Sequence, residues 1–201
     1  MRQGQRTTFI EVNLWRCELK RALFFHSLLT ATISLASAAT PAVGEKAPDF
    51  TLSTVKQAKV RLADVTAKSD VVLVVLRGYP GYQCPYCNRQ AQDFIKNAAG
   101  FAAAGLHVVM IYPGPPQDLE GKANEFLENK NFPNDFDLLL DPGYEFTNLY
   151  DLRWNAPQET AYPATFLLDR QGKVFFRTIS KEHAGRTTAA EILDAMKKRK
   201  R

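Results

Sequence analysis

Val71-Val72-Leu73-Val74-Val75-Leu76 runs through Arg77-Gly78-Tyr79-Pro80-Gly81-Tyr82-Gln83 into Cys84-Pro85-Tyr86-Cys87, just ahead of Asn88-Arg89-Gln90. An unbroken apolar run of this kind is a strand covered on both faces. The two cysteines thus stand three apart, between the exit of a buried strand and a helix-like stretch that begins at Asn88. The helix N-terminus carries partial positive charge and unpaired N–H groups, which stabilise a thiolate and depress the first thiol's pKa. A thiolate there attacks a disulfide, and a second thiol one turn on resolves the mixed disulfide. The competing chemistry is half of a zinc site. That requires a second Cys/His pair, and the only other cysteine is the distant Cys17. The expectation is a redox pair, Cys84 and Cys87, with no metal and no cofactor.

Outward from this stretch the pattern alternates strands and helices. Residues 47–52 start the domain, and 60–65 form a short amphipathic element. Residues 86–104 carry Ala91, Phe94, Ile95, Ala98, Phe101 and Ala102 at helical spacing, stopped by Gly105. Residues 106–112 form a second buried strand, ended by Pro113-Gly114-Pro115-Pro116. A helix over 119–130 follows, then a short strand over 136–140 and a helix over 144–152. Residues 163–169 and 173–179 form a hairpin around Arg170-Gln171-Gly172. Thr188-Ala189-Ala190-Glu191 is a capping box ahead of a last helix. This predicts an α/β fold of three layers, a central mixed sheet flanked by helices.

The chain has 201 residues, 45% hydrophobic and 23% charged, ordinary for one soluble domain plus a leader or tail. The formal charge of +5 is concentrated at the ends. Residues 1–39 hold five basic and two acidic side chains, which leaves 21 basic against 19 acidic beyond them. The closing run Lys197-Lys198-Arg199-Lys200-Arg201 is expected to be a solvated helix end, so no nucleic-acid partner is expected. Lys20-Arg21, the apolar segment 22–35 and Ala36-Ser37-Ala38-Ala39 form a secretory signal with an extended n-region. The expectation is a domain over 40–201 exported to a periplasm-like oxidising compartment; the alternative is an uncleaved membrane anchor facing the same space.

Placed on this skeleton, the motifs resemble the thioredoxin-fold superfamily, in its branch of peroxiredoxins (AhpC/TSA, redoxin) and TlpA-type thiol–disulfide oxidoreductases. Gly44-Glu45-Lys46-Ala47-Pro48-Asp49-Phe50-Thr51-Leu52 resembles that branch's entry strand. Cys84-Pro85-Tyr86-Cys87 is similar to the motif of its dithiol members, with middle residues like those of glutaredoxins. The stretch from Tyr162-Pro163-Ala164-Thr165 through Gly172-Lys173 resembles its cis-proline loop, strand and turn. The resemblance implies that Pro163 is a cis proline packed against the cysteines, with backbone that pairs with substrate.

Two chemistries follow from the resemblance. In dithiol–disulfide exchange with protein partners, Cys84 is the exposed nucleophile and Cys87 resolves. In hydroperoxide reduction, Cys87 is peroxidatic and Cys84 resolving. Peroxiredoxins carry Pro-x-x-x-Thr-x-x-Cys. Here Pro80 and Cys87 fit that frame, but Cys84 replaces the threonine. No arginine stands at Pro163, where the family's peroxide-activating arginine would fall; Arg153, Arg170 and Arg177 are the nearest in sequence. Exchange is therefore the leading expectation, with an electron donor or acceptor protein as the other partner. The buried acid of thioredoxin is replaced at about Gly78, and Glu159 is the one candidate acceptor for the Cys87 proton. Tyr79, Tyr82 and Tyr86 form an expected docking rim, with Tyr82 and Tyr86 as substrate-binding residues. Trp154 and Tyr162 are candidates for the same patch. Arg77 stands near the cysteines or pairs with Asp70. His183 and Arg186 lie in the loop between the hairpin and the last helix, where such residues are ordinarily solvated; the alternative is that the loop lies near the cis-proline edge and they line the site. His107 is expected to be structural.

Overall fold

A computed structural model of the chain describes Met1 and residues 39–199. The leader expected over 1–39 lies outside the described residues except for its two ends, as do the last two residues of the basic tail.

The elements run β1 (Thr51–Thr54), β2 (Lys59–Arg61), α1 (Leu62–Thr66), β3 (Asp70–Val75), α2 (Pro85–Lys96), α3 (Ala98–Ala104), β4 (Leu106–Gly114), α4 (Leu119–Leu127), β5 (Phe136–Pro142), α5 (Glu145–Leu149), β6 (Ala164–Leu168), β7 (Val174–Ile179) and α6 (Ala189–Arg199). They build one seven-stranded sheet in the order β2-β1-β5-β4-β3-β6-β7. The centre is parallel, β3 with β4 and β4 with β5; the flanking pairs are antiparallel.

β3 explains the layering. Alternate side chains of a strand point to opposite faces. Val72, Val74 and Leu76 pack with Phe94 of α2, Phe101 of α3, Phe126 of α4 and Ile192 of α6. Val71, Leu73 and Val75 pack with Leu62 of α1 and with Phe146 and Tyr150. Residues 71–76 are all fully buried, so an apolar residue was required at every position and not only at alternate ones. The result is the expected three-layer α/β arrangement of the thioredoxin fold.

Several boundaries differ from the sequence expectation. The single helix over 86–104 is two, α2 and α3, broken at Asn97 (φ −102°, ψ 13°), whose side-chain amide donates to the Asp93 carbonyl. Such local Asn bonding competes with helix propagation. Gly105 ends α3 in the left-handed conformation, as its position suggested. Pro113-Gly114 do not end β4: the ladder continues to Gly114 opposite Pro142. The helices expected over 119–130 and 144–152 shorten to α4 and α5. The capping box forms, with Thr188 N–H donating to the Glu191 carboxylate at 2.7 Å and Glu191 N–H to Thr188 Oγ1 at 3.3 Å. The basic tail is not wholly solvated, because Arg199 meets Asp70 at 2.9 Å and lies over the Phe175 ring. No cis peptide bond occurs among the described residues, so the expectation of a cis Pro163 is not met.

Gly78 fixes where the chain leaves β3. It has φ +63°, and a Cβ there would stand 1.9 Å from the Pro113 carbonyl oxygen. The next residue, Tyr79, donates its N–H to that same carbonyl at 3.0 Å. Backbone cannot yield as a side-chain tip does. Gly78→Ala is therefore expected to destabilise the reduced protein by ~2 kcal/mol or more. Thermal unfolding checks this; an unchanged midpoint would show that the loop relaxes freely.

Candidate active site

Cys84 is the N-cap residue of α2. Its backbone is extended (φ −70°, ψ 118°), Pro85 follows at the first helical position, and the Cys87 N–H donates to Sγ at 3.4 Å. The sulfur thus occupies the place of the oxygen in an ordinary serine cap. The loop leading to it is anchored by Gln83. Its amide nitrogen donates to the Lys122 carbonyl at 2.8 Å, and its amide oxygen accepts from the Tyr112 hydroxyl at 2.9 Å.

Arg186 completes the site from the other side of the sequence. Its Nη2 stands 3.8 Å from Cys84 Sγ, while Nη1 donates to Gln90 Oε1 at 3.2 Å and Nε to the His183 carbonyl at 3.1 Å. Gln90 in turn donates to the Thr187 carbonyl at 3.1 Å, tying the loop before α6 to α2. Of the two places open to this loop in the sequence, solvated or lining the site, the structure shows the second for Arg186, whose guanidinium reaches the sulfur. Arg153, Arg170 and Arg177 do not take that place: Arg153 donates to the carbonyls of Trp154, Glu159 and Thr160, and Arg177 to those of Thr40 and Pro41.

The two thiols are driven apart electrostatically. The Cys84 thiol is lowered from 9.0 to about 5, chiefly by the hydrogen bond from the Cys87 thiol, then by the Cys87 N–H, the Arg186 charge and the Tyr86 N–H, all against burial. The Cys87 thiol is pushed well above 9.0 by burial first, then by its hydrogen bond and charge interaction with Cys84. Both are free thiols. The dithiol therefore rests as a Cys84 thiolate beside a Cys87 thiol. Cys84 is not the exposed nucleophile that the sequence suggested: it is only 1% exposed, because Arg186 and the core residues around α2 enclose it.

A second network lies behind the loop. Arg77 is buried at the exit of β3 and grips Glu159 with two bonds of 2.6 and 3.0 Å, the Tyr82 hydroxyl at 2.6 Å and the Gln158 carbonyl at 2.7 Å. Asp70 is not its partner. Glu159 also meets His183 Nε2 at 2.8 Å. Burial raises the Glu159 carboxyl, but the bonds from Arg77 and His183 outweigh it and hold the group below its ordinary value. With both oxygens engaged, Glu159 is a poor proton acceptor for Cys87. Trp154 stacks on Tyr162 at 4.8 Å and lies 5.2 Å from His183.

Tyr82 and Tyr86 stand out as exposed aromatic residues, consistent with a rim. Pro163 is buried, and its carbonyl accepts the Ser180 N–H at 2.8 Å, so the structure does not bring it to an open face. It lines a small space with Gln90, Thr165, Thr178, Arg186 and Thr187. His107 pairs with Asp137 at 2.8 Å and is structural, as expected. Among the described residues no cluster of His, Cys, Asp and Glu has metal-binding geometry.

The AhpC/TSA family pattern matches residues 43–177. Over 136 residues the chain is 32% identical to a putative peroxiredoxin of Mycobacterium tuberculosis (strain CDC 1551 / Oshkosh), covering 65% of this chain and 80% of that one. Over 138 residues it is 28% identical to peroxiredoxin Bcp of Bacillus subtilis (strain 168), covering 66% and 81%. Among solved structures, a putative thiol:disulfide interchange protein DsbE from Chlorobium tepidum superposes with a TM-score of 0.57 and 28% identity, covering 78% of this chain and 99% of that one. Peroxidoxin BcpB from Mycobacterium tuberculosis superposes with a TM-score of 0.61 at 21% identity, covering 79% and 97%, a likeness of fold.

Thiolate absorbance of the reduced protein is expected to rise with a midpoint near pH 5, from Cys84 alone. Arg186→Met removes a stabilising charge, so the midpoint moves up; an unmoved midpoint would show that the guanidinium does not act on the sulfur. The depressed value also has a stability consequence. From about pH 5 to about 9 the unfolded chain keeps the Cys84 proton that the folded chain has lost, so the reduced protein gains stability as pH rises through that window. Denaturant unfolding at several pH values checks the slope.

Proposed function

The chain belongs to the AhpC/TSA family and is a thiol-dependent oxidoreductase of thioredoxin fold, and on that footing we propose that it performs dithiol–disulfide exchange with a protein partner. The observation that carries this reading is the Cys84 sulfur at the cap of α2, held as a thiolate by Cys87 and Arg186. That thiolate attacks one sulfur of a partner disulfide, forming a Cys84–partner disulfide and expelling the other partner sulfur as a thiolate. Cys87 then loses its proton to that leaving thiolate or to water and attacks Cys84 Sγ. The Cys84–Cys87 disulfide forms, the partner departs as a dithiol, and two electrons have passed to it. The reverse sequence oxidises a partner dithiol. A donor or acceptor dithiol protein restores the starting state.

No dedicated base is needed for Cys87. Its thiol is raised partly by the charge on Cys84 and by donating to it. Bonding Cys84 into a mixed disulfide removes both effects while the Arg186 charge remains, so the second thiol becomes easier to ionise at the moment it must attack.

A second reading, hydroperoxide reduction, is favoured by the guanidinium beside Cys84 and by the peroxiredoxins among its relatives. The geometry then gives Cys84, rather than Cys87, the attacking role: the thiolate takes the terminal peroxide oxygen to become a sulfenic acid, an alcohol or water leaves, and Cys87 closes the disulfide with loss of water. Cys87 as the peroxidatic thiol fits poorly, since it is fully buried and protonated. We further propose an exported, extracytoplasmic protein, on the strength of the leader pattern in residues 20–39.

Cys84→Ser is expected to abolish reduction of a model protein disulfide, and Cys87→Ser to accumulate mixed disulfides through Cys84 that non-reducing gels and peptide mapping detect. Absence of such adducts, with sulfenic acid forming rapidly on peroxide addition instead, would favour the peroxidase reading.

A further inference from the structure

Beside Cys84 lies a groove of about 340 Å³ whose lining includes Tyr86, Arg89, Gln90, Asp93, Arg186 and Thr187. It does not include either sulfur; it abuts Cys84 through Arg186, 3.8 Å away. Its charge is unbalanced. Among the described residues neither of its arginines meets a carboxylate: Arg89 lies over the Tyr86 ring at 4.4 Å, and Arg186 donates to the His183 carbonyl, Gln90 Oε1 and the sulfur. Asp93 is the one acidic residue in the lining, and its carboxylate is spent on the Ala189 N–H at 2.7 Å and the Asn97 amide at 3.2 Å.

A second observation points the same way. Thr187 is 4% exposed, and its buried Oγ1 has no hydrogen-bond partner among the described residues. Thr187 lines both the groove and the small space behind it that Pro163, Thr165 and Thr178 share. Buried hydroxyls are nearly always paired, and an orphan at a groove is a donor waiting for a ligand acceptor.

We propose that this groove binds the chain segment flanking the reacting half-cystine of the partner protein, and that it selects segments bearing carboxylates. The inference rests on the exchange reading above and names the partner's chemistry: an acidic peptide disulfide. Two guanidiniums with no carboxylate partner among the described residues suit a carboxylate, and the exposed Tyr82 (45%) and Tyr86 (36%) offer a wide apolar rim suited to a protein surface.

The test uses two synthetic peptides with an internal disulfide and blocked ends, identical except for Glu or Gln on either side of one half-cystine. Rate constants for oxidation of the reduced full chain are measured at low and at high KCl. The Glu peptide is expected to react ~10-fold faster at low salt, an advantage that salt erases. In Arg89→Gln the ratio of the two rates falls towards unity, and in Arg89→Lys it is largely retained. Because Arg89 is on the surface, circular dichroism should show both variants folded. Equal rates for the two peptides, or a ratio untouched by Arg89→Gln, overturn the proposal and leave the exchange reading standing. A preference confined to a small aromatic dicarboxylate disulfide also overturns it, in favour of a small acidic substrate. Failure of both peptides and the small disulfide to oxidise the protein overturns the exchange reading, and the proposal with it.

Discussion

A single sulfur at the cap of α2 organises this molecule. The helix begins where it does because Pro85 suits its first position and because Cys84 Sγ accepts the Cys87 N–H. That placement converts the helix terminus into a thiolate site, and the rest of the fold holds it there. β3 delivers the chain from the centre of the sheet, Gly78 lets the exit pass against Pro113, and Gln83 bolts the loop to Tyr112 and α4.

The chemistry then follows from asymmetry. The two sulfurs are one helical turn apart in the same cluster, yet one is stabilised as an anion and the other is held neutral by complete burial. Nucleophile and resolving group are distinguished by environment alone. Arg186 is shared between the two steps, first stabilising the Cys84 charge and later the charge that develops on Cys87. Arg77 is close in sequence but plays another part. Locked to Glu159 and Tyr82, its side chain braces the loop that carries His183 and Arg186, while its backbone hydrogen bond tempers the rise of the Cys87 thiol.

Much of this was legible from residue order because it depends on local chemistry. The apolar run at 71–76, Gly105 as a helix stop, the capping box at Thr188 and the Cys-Pro-Tyr-Cys step each act within a few residues. What was hidden depends on residues far apart in the chain. Arg186 reaches Cys84 across a separation of 102 residues. The order of the hairpin and the last helix makes Lys181-Glu182-His183-Ala184-Gly185-Arg186 a loop that can reach the site, but which of its side chains meets the sulfur is fixed only by the fold. The burial of Cys84 is hidden for the same reason. Glu159 was identified as a candidate acid near the site, but its engagement with Arg77 and His183, which disqualifies it as a base, appears only in three dimensions. The break at Asn97 was missed because the apolar spacing continues across it, while one side chain turns the backbone aside.

The central claim is that the Cys84 thiolate serves disulfide exchange. Stopped-flow tryptophan fluorescence tests it most directly, by mixing the reduced protein with a protein disulfide in one syringe series and with hydrogen peroxide in another. Rapid oxidation by the disulfide, lost in Cys84→Ser, is expected, with peroxide oxidation no faster than that of an ordinary thiolate. Peroxide oxidation orders of magnitude faster than a free thiolate's, with slow reaction towards the disulfide, would contradict it.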